Sequence, residues 1–168
     1  MITKINKMKS PIKQTSVDFK RNDHMIAHYA INTAHFHALP KKPAALTLEP
    51  TATTPFLKYS SAESLLVIKG KSVKPDMHEF YHAPLQRFKA ELKNSNQLKV
   101  HLCFYDLNTS TAKVLFDLFK YLRMRAAGGT NVEVIWGAEV TNHEMIETGK
   151  DFAEIYELKF RFLKDSDF

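Results

Sequence analysis

The chain holds a single cysteine, Cys103, so no internal disulfide framework can staple it. No run of apolar residues approaches the roughly 18 that a membrane-spanning helix needs. The start is polar and Lys-rich, and the apolar stretch from Ile26 to Ile31 is short and interrupted by His28, which argues against a signal-peptide core. Cytoplasm is the expected compartment. Glycine is scarce as well, five residues in all, and that scarcity decides one motif. Gly70-Lys71-Ser72 imitates the end of a phosphate-binding loop, but such a loop needs a second glycine at position 65, where its bare backbone wraps the phosphates. Leu65 stands there, so no nucleotide loop is formed.

What is present is an ordinary soluble composition of a length that fits one domain. The formal charge of +6 sits entirely in residues 1–45, which carry eight Lys or Arg against Asp18 and Asp23. Residues 46–168 hold 16 basic and 16 acidic side chains and are neutral. A solvated basic extension over 1–45 therefore accounts for the high pI without nucleic-acid binding. That extension lacks sustained periodicity; a short helix fits Met25 to Ala34, and Pro40-Lys41-Lys42-Pro43 reads as a linker. His35 and His37 are spaced like a metal pair, but two ligands do not make a site.

Periodic sequence begins near Thr54. Phe56–Tyr59 and Leu65–Ile68 read as a hairpin around Ser60–Ser64. Tyr81, Leu85, Phe88 and Leu92 form a helical stripe that Asp76 and Glu79 open with a capping-box pattern. Pro84 either kinks this helix or marks the first turn of one that begins later. Leu98, Val100, Leu102 and Phe104 alternate as a strand; Leu115, Leu118, Phe119, Leu122 and Ala126 make the strongest helical stripe, closed by Gly128-Gly129. Val132, Val134 and Trp136 give another strand, residues 142–153 a helix, and Tyr156, Leu158, Phe160 and Phe162 a last strand. The order β-β-α-β-α-β-α-β predicts an α/β domain over 46–168: one mixed sheet with parallel pairs, right-handed crossovers and helices packed against it.

Two segments carry candidate chemistry. His78-Glu79-Phe80-Tyr81-His82 fits H-E-x-x-H, in which two imidazoles on one helix face bind zinc beside a glutamate base. A zinc-dependent hydrolase is thus the alternative to a binding module. Against it stand Leu85 and Phe88 at the positions of the extended motif, Pro84 within the helix that must hold both ligands, and the want of a third ligand. No nucleophile-and-base pair stands out elsewhere, and Cys103 on a strand reads as core. The second segment is Tyr105-Asp106-Leu107-Asn108-Thr109-Ser110-Thr111-Ala112-Lys113, where a strand ends and small hydroxylated residues open the strongest helix. Asn108 or Thr109 caps it. The same free N–H groups and positive dipole end would also seat a phosphate.

From about residue 49 to 163 the sequence resembles the SiaC-type regulatory phosphoproteins. The resemblance rests on Thr53-Thr54-Pro55, Gly70-Lys71-Ser72 with Pro75 and Asp76, Phe80-Tyr81 with Pro84-Leu85, Tyr105, Leu107, Asn108-Thr109-Ser110, Lys113, Val134 and Trp136, Gly149-Lys150-Asp151-Phe152 and Phe160. It implies a fold like that of the STAS-domain anti-sigma-factor antagonists and a partner switch rather than an enzyme, with no cofactor. In that switch a cognate protein kinase phosphorylates the Thr of Asn-Thr-Ser and a PP2C-type phosphatase reverses this. The unmodified form binds an effector, a GGDEF diguanylate cyclase in the well-understood members. Carried onto this chain, the modified residue is Thr109, with Asn108, Ser110, Ser72 and Lys113 in kinase or partner recognition. Ser110 and Thr111 are the near alternatives for the phosphate. The chain departs from the family after Trp136, where Gly137-Ala138-Glu139-Val140-Thr141-Asn142 replaces an aromatic and acidic run.

The zinc alternative makes a direct prediction. Purified protein is expected to retain no zinc on elemental analysis after dialysis. A full equivalent that His78→Ala or His82→Ala abolishes would favour the hydrolase.

Overall fold

The computed structural model describes residues 44–168. The basic extension, the helix expected over Met25 to Ala34, the linker at 40–43 and the His35/His37 pair lie outside the described residues, apart from Ala44 and Ala45. Six strands form one sheet in chain order: β1 (Ala45–Leu48), β2 (Phe56–Ser60), β3 (Leu65–Ser72), β4 (Gln97–Leu107), β5 (Asn131–Ala138) and β6 (Phe160–Lys164). The first three are antiparallel and β3 to β6 are parallel. The parallel strands are joined through α1 (Met77–Glu91), α2 (Thr109–Ala127) and α3 (His143–Ile155). Because each crossover steps one strand further in the same direction, right-handed connections put all three helices on one face. One core cluster follows, in which Leu57, Ile68, Val100, Leu102 and Trp136 of the sheet meet Tyr81, Phe88, Leu118, Phe119 and Phe152 of the helices.

The mixed α/β architecture is the one expected, with three local differences. β1 is an added edge strand, four residues long, paired with β2 through Leu46↔Tyr59 and Leu48↔Leu57. Four residues give too short an alternation to register as periodic. Pro84 lies inside α1, which starts at Met77 under the Asp76 cap. The helix forgoes one backbone hydrogen bond there, and Pro84 is itself buried with Tyr81, Leu85 and Phe88 against the core. The last strand begins at Phe160, not Tyr156. Tyr156 ends α3, Glu157 takes φ 50°, and the N–H groups of Glu157 and Leu158 donate to the carbonyls of Glu154 and Ala153 at 3.1 Å each. This is a Schellman stop with a left-handed glutamate where glycine usually sits, so the sequence carries no stop signal. At the end of α2 the same stop uses Gly129, at φ 88°.

Trp136 fixes α3 on the sheet. It is fully buried and its indole Nε1 donates to the Met145 carbonyl at 2.9 Å. A Cβ on Gly149 would stand 2.6 Å from that indole, so the close approach of helix to ring requires glycine there.

The opposite face carries no helix among the described residues. Along it Val67, His101, Ile135 and Arg161 form a row across β3 to β6. The closing turn, Asp165–Asp167, and Phe168 fold back onto it, with Lys69 Nζ donating to the Asp165 carbonyl at 3.3 Å. Cys103 is fully buried beneath, and burial pushes its thiol up to about 11. His101 Nε2 is shielded from solvent and makes no hydrogen bond; Glu133 Oε1 lies 3.5 Å away and also faces Arg161. Burial lowers the His101 pKa, and Glu133 offsets this only in part.

A base whose folded pKa is depressed binds its proton more readily in the unfolded chain, so stability is lost as pH falls through its ordinary value of 6.5. Thermal unfolding followed from about pH 7.5 to about pH 5 should therefore show declining stability, and His101→Gln should flatten part of that decline. An unchanged slope in the variant would remove His101 as a contributor.

Candidate functional site

Parallel strands end together, and the ends of β3, β4 and β5 at Ser72, Leu107 and Ala138 bring three loops and three helix starts to one edge of the domain. Each start is capped alike. Asp76 accepts from the Glu79 N–H at 3.2 Å, Asn108 from the Thr111 N–H at 2.9 Å, and Asn142 from the Met145 N–H at 3.2 Å. Of the two cap residues the sequence allowed for α2, Asn108 is the one used. Its Nδ2 also donates to the Lys74 carbonyl at 2.9 Å, and its backbone N–H to the Ser72 carbonyl at 3.2 Å. Asn142 Nδ2 donates to the Tyr105 carbonyl at 3.2 Å, tying the loop after β5 to the end of β4.

Beneath Asn108 lies a buried knot of hydroxyls. The Thr111 hydroxyl donates to the Ser72 carbonyl at 2.6 Å and lies 2.8 Å from Ser72 Oγ, which lies 2.8 Å from the Tyr81 hydroxyl. A single proton order satisfies all three: Tyr81 donates to Ser72, Ser72 to Thr111, and Thr111 to the Ser72 carbonyl. Burial raises the Tyr81 phenol well above its ordinary pKa, so it keeps the proton it donates. The alternation of β3 runs unbroken to its end, leaving Lys71 in solvent and Ser72 fully buried, while the pairing skips Tyr105 of β4 between Gly70↔Phe104 and Lys71↔Asp106, which brings Leu107 opposite Ser72.

The four residues Asn108 to Thr111 thus divide by environment. Asn108 caps, Ser110 Oγ accepts from the Met77 N–H at 3.0 Å, and Thr111 is fully buried. Thr109 is exposed, and its hydroxyl makes no hydrogen bond among the described residues. Lys113 is exposed one turn further along the same helix face. Shortly before the helix start, at the end of β4, stands an exposed aromatic side chain, Tyr105 at 39%. Of the residues singled out in the sequence, Asn108, Thr109, Ser110 and Lys113 fall on one helix start, and Ser72 sits under it rather than on the surface. Tyr81 completes the knot and was not singled out as a site residue. Its only signal was the Phe80-Tyr81 pair.

His78 and His82 are exposed on α1 with ring centroids 5.7 Å apart, flanking a cleft that Asp117 of α2 also lines. Among the described residues no group of three His, Cys, Asp or Glu is placed to hold a metal ion. Glu79, the expected base, faces Lys74 at 3.3 Å.

The sequence model of the SiaC family regulatory phosphoproteins matches residues 48–165, which takes in every element from the end of β1 onward. The chain belongs to the SiaC family. Solved structures share the fold: apo-SiaC from Pseudomonas aeruginosa superposes with a TM-score of 0.63 at 22% identity, covering 72% of this chain and 98% of that one. A chain from the complex of the diguanylate cyclase SiaD with its activator SiaC, from the same organism, gives 0.67 at 22% identity, covering 71% and 98%. Among curated proteins no sequence matches significantly. The SiaC match leaves the first 47 residues outside it.

The knot predicts opposite behaviour for neighbouring threonines. Thr111→Val keeps the shape but removes the hydroxyl that pairs with both Ser72 Oγ and the Ser72 carbonyl, and should lower unfolding stability by about 1–3 kcal/mol in urea titrations. Thr109→Val, at an exposed position, should stay within about 0.5 kcal/mol of the parent. Equal effects at the two sites would contradict the division.

Proposed function

We propose that this SiaC-family protein is a phosphorylation-gated binding module of a bacterial partner-switching pathway, with Thr109 as the phosphoacceptor. The observation that carries this is the environment of the Asn108–Thr111 segment: only Thr109 offers a hydroxyl that is both exposed and uncommitted. A kinase acts on an accessible hydroxyl, and here access costs no unfolding. Once formed, the phosphate sits at the start of a 19-residue helix, where unpaired N–H groups and the dipole favour negative charge. The fold tolerates the group, while a partner docked over Thr109 and Tyr105 meets about 1.5 to 2 new negative charges.

The partners follow from the family. A cognate protein kinase adds the phosphate, with Asn108, Ser110 and Lys113 shaping the helix start it reads and Ser72 holding that start from below. A PP2C-type phosphatase removes it. The unmodified form binds an effector, and the related SiaC described as activator of the diguanylate cyclase SiaD supports a GGDEF cyclase in that role. Gly137–Asn142, where this chain departs from its relatives, runs from the end of β5 into a loop that Asn142 ties to the end of β4, and that loop tunes which cyclase fits. In this reading the protein is not itself an enzyme and works in the cytoplasm.

Incubation with the cognate kinase followed by mass spectrometry should place phosphate on Thr109. Thr109→Ala should stay folded, resist the kinase and keep binding the cyclase. Thr109→Glu should fold but bind at least several-fold more weakly, although a carboxylate supplies only about half the charge of a phosphate. Phosphate on Ser110 with Thr109 untouched would defeat the residue assignment. No phosphorylation at all, with a cyclase that binds every variant equally, would defeat the switch.

A further inference from the structure

Among the described residues, β6 pairs with β5 alone, so its outer row of N–H and C=O groups has no strand to bond. Exposed edges of this kind invite another strand, and natural proteins usually blunt them with charge, bulges or cover. Arg161 and Lys164 supply some charge here, yet between them Phe162 is 42% exposed on the helix side of the strand. Beside Phe162 runs a cleft of about 380 Å³ lined by Val140, Ile146 and Leu163. The edge is thus apolar at its centre and charged at its flanks.

We propose that this edge is an interface between two copies of the chain, joined by antiparallel pairing of β6 with β6 about a two-fold axis at Phe162. The choice of a second copy rests on the self-complementarity of the five residues. Centred on Phe162, the register sets Arg161 opposite Leu163 of the second copy and Lys164 opposite Phe160, while the two Phe162 rings face each other. A register centred on Arg161 would oppose two guanidiniums, and one that set Arg161 against Lys164 would also oppose like charges. The favoured register keeps the helices of both copies on the same side and yields a continuous twelve-stranded sheet. An isologous contact of this kind closes at two copies and does not propagate. It is centred on β6 rather than on the start of α2; Val140 of its flanking cleft belongs to the segment after Trp136, and its test reads mass and cross-linking, not phosphorylation, so the two readings fail separately.

Sedimentation of the full chain tests this. The weight-average mass should climb above 19.3 kDa toward about twice that value as concentration rises. Phe162→Asp should hold it at the single-chain mass. Met124→Asp, an exposed position on α2, should associate like the parent. In a Cys103→Ser background, oxidised Phe162→Cys should form a reducible dimer, since directly opposed Cα atoms lie about 4.5–5.5 Å apart, within disulfide reach. Leu163→Cys, which faces Arg161 of the second copy, should not. A single-chain mass at every concentration, association that survives Phe162→Asp, or equal cross-linking from both cysteines would overturn the proposal.

Discussion

The hydrogen bonds that run from Tyr81 through Ser72 to Thr111, with Asn108 over them, tie together three elements that meet at the end of the sheet where the helices start: the last residue of β3, the first turns of α1, and the start of α2. Buried hydroxyls cost free energy unless paired, so each member of this set obliges the others to be present. The set can form only if β3 and β4 run parallel with the register that aligns Ser72 and Leu107. Local chemistry at one helix start is in this sense a readout of correct long-range pairing. Where Thr109 points is a by-product of where Thr111 is anchored.

Sequence periodicity disclosed the elements whose apolar residues repeat without interruption. β4 and α2 were plain because Leu98 to Phe104 alternate and Leu115 to Leu122 form one stripe, each long enough to identify its period. β1 was invisible because Ala45–Leu48 offers two half-buried leucines and nothing more, and its place depends on Ser61, whose Oγ accepts from the Ala44 N–H at 2.8 Å. Tyr156 and Leu158 misled because a helix stop and the residue folded beneath it happen to lie two apart, the period of a strand. Gly128-Gly129 announced its helix end and Glu157 did not, although both ends make the same pair of hydrogen bonds. At the candidate site, the cap and the exposed hydroxyl were legible from Asn-Thr-Ser. Ser72 was named through the family resemblance as a recognition residue, but its buried pairing with Tyr81 and Thr111 was not legible, since it follows from topology rather than from neighbours in the chain.

With α1, α2 and α3 on one face, the two sides of the sheet serve different ends. The helical side holds the continuous core and presents the helix starts at its rim. Among the described residues the other side is finished by Lys69, Phe168 and the closing turn, and there a histidine, a thiol and several charged side chains lie close to the backbone plane. Polar groups in that setting make the second face sensitive to pH, while the first depends on packing and on hydroxyl and indole hydrogen bonds that do not titrate near neutral pH.

The division between Thr109 and Thr111 also bears on how a cell handles mistakes. A phosphate added to Thr111 would require the knot to open first and would prevent it from closing again, because no space or partner exists for the group at a fully buried position. Such a molecule would not carry a wrong message for long. It would join the unfolded fraction that chaperones and proteases clear, so under the proposed Thr109 switch the architecture would turn an error of address into a loss of copy number, with no dedicated proofreading.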